Sequence, residues 1–252
     1  MPSRTLPPPA SGAVNLSPRA NFGVRQANLS QVLTLIHQHG ALRRSDLTLM
    51  TGLNRSTILD LVANLQKHGL VTQTRTSGVG EIGRPSIEVA ASDAIVSFVV
   101  IPRLGEITIG VVGLGGNVVM RQRQALPEGA TPEFAAGLAG EVINQLKKTL
   151  GKGTRIAGIG VAAPGQVRVK IGNVRFAPSL GWRESSFAAL LEAHTNLPVR
   201  LDNDASLACA AEQTFGAGAG FDNMVFLIGV PGGVGGGAVI KGELLRGHHG
   251  YA

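Results

Sequence analysis

The chain has 252 residues, 44% of them hydrophobic, enough for one large domain or two modest ones. Its 15% charged content, 35 glycines and single cysteine (Cys209) exclude a disordered acidic chain, a coiled coil, a collagen, a disulfide framework and a cysteine-cluster zinc site. The net charge of +7 is uneven, with nine Lys/Arg against four Asp/Glu in residues 1–91 and fourteen against twelve in residues 92–252, so the first third is expected to meet a polyanion.

Residues 1–20 carry Pro7-Pro8-Pro9, a Ser-Gly pair and no apolar period, and read as a disordered tail. Proline also interrupts the apolar core that a signal peptide needs there. From residue 21 the pattern turns helical. Leu29, Val32, Leu33 and Ile36 follow the i, i+3, i+4, i+7 rule and stop at Gly40. Ser45 is expected to cap a short helix bearing Leu47 and Met50, and Thr51-Gly52 to make a tight turn. A third helix starts near Asn54, buries Ile58, Leu61, Val62 and Leu65, and ends at Gly69. Such a trio matches a helix-turn-helix, whose recognition helix offers its N-terminal polar residues to the major groove. Leu70-Val71-Thr72 and Ile87-Glu88-Val89, separated by the Gly/Pro-rich stretch Thr76 to Ser86, supply two strands of a wing. The alternative is a generic three-helix bundle with a solvated polar face. On the DNA-binding reading, Arg55, Ser56 and Thr57 are the base readers, each good bidentate contact giving about 1–3 kcal/mol of discrimination. Ser45 and Lys67 are then phosphate contacts.

Beyond residue 91, β-rich runs alternate with helical segments, the pattern of an α/β domain. Thr131-Pro132-Glu133 starts a helix with an apolar stripe of Phe134, Leu138, Val142, Leu146 and Leu150. A strand from Ile156 to Ala163 ends in Pro164-Gly165. A helix over Ser186 to His194 leads to the strand Val199-Arg200-Leu201, which runs into Asp202-Asn203-Asp204. Carboxylates at the C-terminal end of a strand stand where an open α/β sheet places ligands. The alternative is that Asp202 and Asp204 only cap the helix that follows. Met224 to Val230 and Ala238 to Ile240 flank a glycine run, which reads as a hairpin with backbone N–H groups available to an anion. It is neither a Walker loop nor a dinucleotide loop. Pro231 and six glycines make this uncharged stretch a poor membrane span. The expectation is a soluble, cytoplasmic protein with no membrane partner.

Several ordered motifs resemble the ROK family, in particular its winged-helix repressors of sugar metabolism. They are Arg25-x-x-Asn28, Thr51-Gly-Leu53, Gly69-Leu-Val71, Gly83-Arg-Pro85, Gly158-Ile-Gly-Val-Ala-Ala-Pro-Gly165, Ala177-Pro-Ser-Leu-Gly-Trp182, Asp202-Asn-Asp-Ala-Ser206 and Gly233-Val-Gly-Gly-Gly237. Arg25, Asn28 and Arg84 from these motifs, with Asn54 from the polar face, complete the expected DNA-contacting set. The resemblance implies an α/β, actin-like and hexokinase-like fold behind a winged helix-turn-helix, with boundaries at 1–20, 21–91 and 92–252. It implies a sugar in the cleft, held by Gly181, Asn203 and Asp204, with Asp204 matching the catalytic base of the family's kinases. Those kinases open this domain with an Asp-x-Gly phosphate loop. Ile101 and Arg103 stand at the two positions here, and Gly-Thr-Gly of the second phosphate loop becomes Pro231-Gly232-Gly233. Phosphoryl transfer is mostly positioning and charge stabilisation, so a base without a held triphosphate cannot complete it.

The chain is therefore expected to be a non-enzymatic regulator without cofactor or metal; the alternative is an ATP-dependent sugar kinase carrying a DNA-binding module. Its expected partners are operator duplex, a sugar or sugar phosphate effector, and a second copy or more of itself. The family pattern runs on past Ala252 into a further sugar contact and a cysteine-rich zinc motif, so the ligand domain is expected to be incomplete. His248 and His249 are expected to be solvent-exposed.

Overall fold

The computed structural model describes residues 20–76, 86–230 and 233–247. Residues 1–19 of the expected tail, residues 77–85 of the Gly/Pro-rich stretch with Arg84, Pro231-Gly232 and the terminal histidines lie outside the described residues, whereas Ala20, placed in the tail from sequence, begins the first helix. Contacts divide the chain into two units, one running to Ile95 and taking in Leu114–Asn117, the other formed by the remainder.

The first unit contains α1 (Ala20–His39), β1 (Leu42–Arg43), α2 (Arg44–Thr51), α3 (Arg55–Lys67), β2 (Val71–Thr76) and β3 (Ser86–Ala91). Its core is Val32, Ile36, Leu47, Ile58, Leu61, Val62, Leu65, Val71 and Val89, so the apolar period of each helix faces inward as expected. Gly52 closes α2 in the left-handed region (φ 70°), its N–H donating to Thr48 O, a conformation that favours glycine. The three strands pair antiparallel in the order β1-β3-β2, with Leu42 opposite Val89 and Thr72 opposite Ala90.

Strand β1 corrects the expectation for Ser45. Pairing to β3 holds Leu42-Arg43 extended, so α2 begins directly after it and Arg43, not Ser45, is the N-cap. Ser45 lies inside the first turn, its hydroxyl 3.3 Å from Asp46 Oδ1, while the Arg43 N–H donates to Asp46 Oδ2 at 3.1 Å.

The second unit is built on a five-stranded sheet. Its strands are β4 (Ile95–Arg103), β5 (Glu106–Gly113), β6 (Val118–Ala125), then, after α4 (Pro132–Thr149), β7 (Arg155–Ala163). A small antiparallel sheet follows: β8 (Gln166–Arg168), β9 (Asn173–Ala177) and β10 (Trp182–Ser185). Next come α5 (Phe187–Thr195), β11 (Val199–Asn203), which joins the large sheet, and α6 (Asp204–Phe215). The last described elements are β12 (Met224–Val230), β13 (Gly233–Ile240) and β14 (Glu243–Leu244). The large sheet has the order β11-β7-β4-β5-β6, with β11 and β7 parallel and β4, β5 and β6 antiparallel. Its core includes Phe98, Val100, Ile107, Ile109, Val161, Phe187, Leu191 and Leu201.

Two expectations change here. The stripe expected for α4 holds at Val142 and Leu146, which are buried, and at Leu138 and Leu150, which pack against the core, but not at Phe134, which is 51% exposed; Ala135, Ala136, Ala139, Gly140 and Ile143 complete the inward face. Small residues occupy that face because α5 passes very close, so that a Cβ on Gly140 would lie 2.6 Å from His194 Cβ. The glycine run also has a packing role. Cβ atoms on Gly235 and Gly237 would stand 2.9 Å from Ala205 Cβ and 2.7 Å from Cys209 Cβ, so bare backbone lets α6 lie against β13.

Candidate functional site

In the first unit the polar start of α3 is built by Asn54. Its Oδ1 accepts the Thr57 N–H at 2.8 Å and the Ser56 hydroxyl at 2.7 Å, the side-chain N-cap that fixes where the helix begins. Asn54 and the Ser56 hydroxyl are thus engaged with each other, while Arg55 extends from the same turn into solvent. Thr57 is half-buried. Lys67 is exposed at the far end of α3, twelve residues on, or about 18 Å along the axis at 1.5 Å per residue. Arg25 is exposed and Asn28 half-buried, both on α1. Sequence reasoning missed a polar chain joining three elements. The Arg44 Nε donates to Gln73 Oε1 at 2.9 Å, and Gln73 Nε2 donates to Gln66 Oε1, tying β2 to α2 and α3. No local signal points to a contact between residues 29 apart.

In the second unit Asn203 and Asp204 stand at the C-terminal end of β11, with Asn203 opposite Ala163 of β7 and so beside Pro164-Gly165. The helix cap here is Asn203, not either aspartate: its Oδ1 accepts the Ser206 N–H at 2.9 Å. Its Nδ2 donates to the Gly165 carbonyl at 2.8 Å. One amide therefore fixes both the start of α6 and the exit of β7. Gly165 is required there, since at φ 85° a Cβ would fall 2.2 Å from the Phe176 carbonyl oxygen.

Asp202 is buried, accepts the Asn203 N–H at 2.8 Å and pairs with Arg246 at 2.7 Å. Arg246 is 44 residues away in the sequence, and nothing local announces the pair. Asp204 is half-buried; its Oδ1 accepts the Ala205 N–H at 2.9 Å. Burial pushes the Asp204 carboxyl above the ordinary aspartate range, opposed by the Ala205 N–H and by the positive charge of Arg103. Gly181, exposed at φ 69°, closes the turn Pro178–Leu180, and the next residue, Trp182, anchors the segment by donating from Nε1 to the Ala130 carbonyl at 2.9 Å.

Chemically this is a carboxylate and an amide at one end of a parallel strand pair, suited to accepting and donating hydrogen bonds to hydroxyl groups. The segment Val99 to Gly105 forms the end of β4 and its turn into β5, with Ile101 opposite Thr108 and Arg103 opposite Glu106. Neither Ile101 nor Arg103 offers the carboxylate or the close backbone approach that a metal-bound phosphate requires. Among the described residues no three His, Cys, Asp or Glu side chains are grouped to hold a metal ion, and no helix is long and apolar enough to cross a membrane.

Helices packed with a small sheet, followed by an α/β unit with a carboxylate and an amide at the end of a parallel strand pair, define the class: a mixed α/β protein carrying a sugar-kinase-like domain. The sequence profile of the ROK family matches residues 104–252, and the chain belongs to that family. It is 26% identical to the xylose repressor of Bacillus subtilis over 230 residues, 91% of this chain and 59% of the repressor. It is 33% identical to a glucokinase of Streptomyces coelicolor over 147 residues, 58% of this chain and 44% of the kinase. The crystal structure of a ROK family transcriptional regulator, a homologue of the E. coli MLC protein, superposes with a TM-score of 0.70 over 90% of this chain and 58% of that one, at 24% identity, and shows the same fold. The chain thus spans about three fifths of the length of the repressors it matches.

Proposed function

We propose that the chain is a sugar-responsive, DNA-binding transcriptional regulator, acting as a repressor, whose first unit is a winged helix-turn-helix. On this reading α2 and α3 form the helix-turn-helix, and β2 and β3 form the wing. Arg55, Ser56 and Thr57 read bases, while Arg25, Lys67 and Arg84 meet phosphate. The second unit is the sensor, with Gly181, Asn203 and Asp204 at the sugar. The observation that carries this is coverage: relatives named repressors match 91% of the chain, both units included, whereas the glucokinase match covers 58%. The charge of residues 1–91 supports it. A phosphoryl-transferring role is disfavoured by Ile101 and Arg103.

The test is a gel shift with duplexes from upstream of its own gene. A preferred duplex is expected, with binding falling as salt rises by a log–log slope of about −0.9 per phosphate contacted. Arg55→Ala should relax sequence choice, and Lys67→Ala should weaken all sequences alike. Absence of preference over random duplex at moderate salt refutes specific recognition. In a coupled assay with ATP, magnesium and glucose, xylose or N-acetylglucosamine, no turnover is expected; turnover lost in Asp204→Ala would make the chain a kinase.

A further inference from the structure

The surface of α3 that the core leaves uncovered is not uniformly polar. Arg55, Leu59, Ala63 and Lys67 are all exposed and recur every four residues, so they form one ridge inclined to the helix axis, basic at both ends and apolar between. Leu59 is 46% exposed, although the buried face of the same helix, with Ile58 and Leu61, lies on either side of it in the sequence. A single exposed leucine is ordinary on a protein surface. This one stands between two cations, on the helix read above as the one that meets duplex DNA. The first turn alone supplies few base contacts: Ser56 gives its hydroxyl proton to Asn54 Oδ1 and Thr57 is half-buried, so reading from that turn rests chiefly on Arg55. Asp60, exposed on the flank of the ridge, disfavours approach of phosphate to that flank. Base edges in the major groove offer an aliphatic side chain one apolar partner, the 5-methyl group of thymine.

We propose that Leu59 is a further specificity-determining residue, packing its side chain on the 5-methyl group of a thymine in the major groove. The inference deepens the DNA-binding reading above and rests on it. Duplex is the occupant that the charges select, because Arg55 and Lys67 bracket Leu59 within a segment, residues 1–91, that holds nine Lys/Arg against four Asp/Glu. Leu59 follows Arg55 by four residues, about 6 Å along the helix at 1.5 Å per residue. Successive base pairs rise by about 3.4 Å, so the thymine lies within about two steps of the base that Arg55 reads, a guanine by the usual arginine pairing. The methyl group leaves water when Leu59 covers it, which gives about fourfold in affinity over the same site without it.

The experiment enriches a preferred duplex from a randomised pool with the full chain, then replaces each of its thymines singly by deoxyuridine, which lacks only the 5-methyl group. Affinities are read by fluorescence anisotropy at fixed salt. At one thymine, or one symmetry-related pair, deoxyuridine is expected to weaken binding about fourfold, and Leu59→Ala is expected to bind the two duplexes equally. Leu59→Met, still apolar, should keep the penalty in part. Arg55→Ala should leave it in place while relaxing choice at a different base pair. Circular dichroism verifies that the variants are folded. The inference is overturned if no thymine is sensitive, if the penalty persists in Leu59→Ala, or if folded Leu59→Ala weakens all sequences alike. It is also overturned if folded Leu59→Ala binds every duplex as the parent does, which would assign the ridge to a protein partner. A pool that yields no preferred sequence sinks specific recognition and this inference with it, whereas a preferred sequence indifferent to deoxyuridine sinks this inference and leaves the regulator reading intact.

Discussion

Replacing Asn203 with alanine removes two bonds made by one side chain. The first is the N-cap of α6, where loss of the acceptor for the Ser206 N–H costs about 1 kcal/mol. The second is the bond from Nδ2 to the Gly165 carbonyl, a further ~1 kcal/mol. Asn203→Ala should therefore destabilise the α/β unit by about 2 kcal/mol, and Asn203→Ser, which keeps a capping oxygen but has no donor that reaches Gly165, by about half of that. The single tryptophan makes the measurement clean. Trp182 is buried in the α/β core, stacked near Phe187 at 4.9 Å, so urea unfolding followed by its fluorescence reports that unit alone. With a urea slope of about 2 kcal/mol per molar, the alanine variant should unfold about 1 M earlier. An alanine variant within ~0.5 kcal/mol of the parent, or a serine variant as unstable as alanine, refutes the double role.

Gly237→Ala should cost about 1–3 kcal/mol by the same assay, because its methyl would meet Cys209 Cβ at 2.7 Å and α6 would have to lift from β13; an unchanged midpoint would show that the helix shifts freely. Asp204→Asn should stabilise the unit at neutral pH. Burial raises the Asp204 pKa in the native state, so the native chain binds that proton more tightly and stability falls as pH rises through the raised value. The variant's advantage should then fade as pH drops toward the ordinary carboxylate range, and a uniform loss at every pH would contradict the assignment. Asn54→Ala should lower the helicity and stability of the first unit by about 1 kcal/mol, read by circular dichroism, and with them DNA affinity.

What could be read from sequence was what local periodicity encodes. Ile58, Leu61, Val62 and Leu65 lie on one face of α3 and are all buried, and Asn54 stands where the helix starts. The same logic placed Asp202-Asn203-Asp204 at the end of a strand. It failed where a distant partner decides. Ser45 looks like a cap because it precedes an apolar pair, but β3, more than forty residues on, holds Leu42-Arg43 extended and moves the start of α2. Phe134 looks like core because it is large, yet the contact with α5 demands small residues. Asp202 and Asp204 are neighbours with opposite fates, one neutralised by Arg246 and the other half-buried without such a partner, and that difference depends on how the chain closes from 44 residues away.

The contact between α6 and β13 has a consequence for descent. Gly235 faces Ala205 and Gly237 faces Cys209, one helical turn apart on the same face. Neither member of a pair is free to grow alone: a larger side chain at 205 or 209 meets backbone, and any side chain at 235 or 237 meets the helix. Change at these four positions is thus expected to be correlated among relatives, with glycine on the strand tracking alanine, serine or cysteine on the helix. Such paired inheritance would arise from clearance alone, and it would mark these sites as jointly fixed even in relatives whose ligands differ.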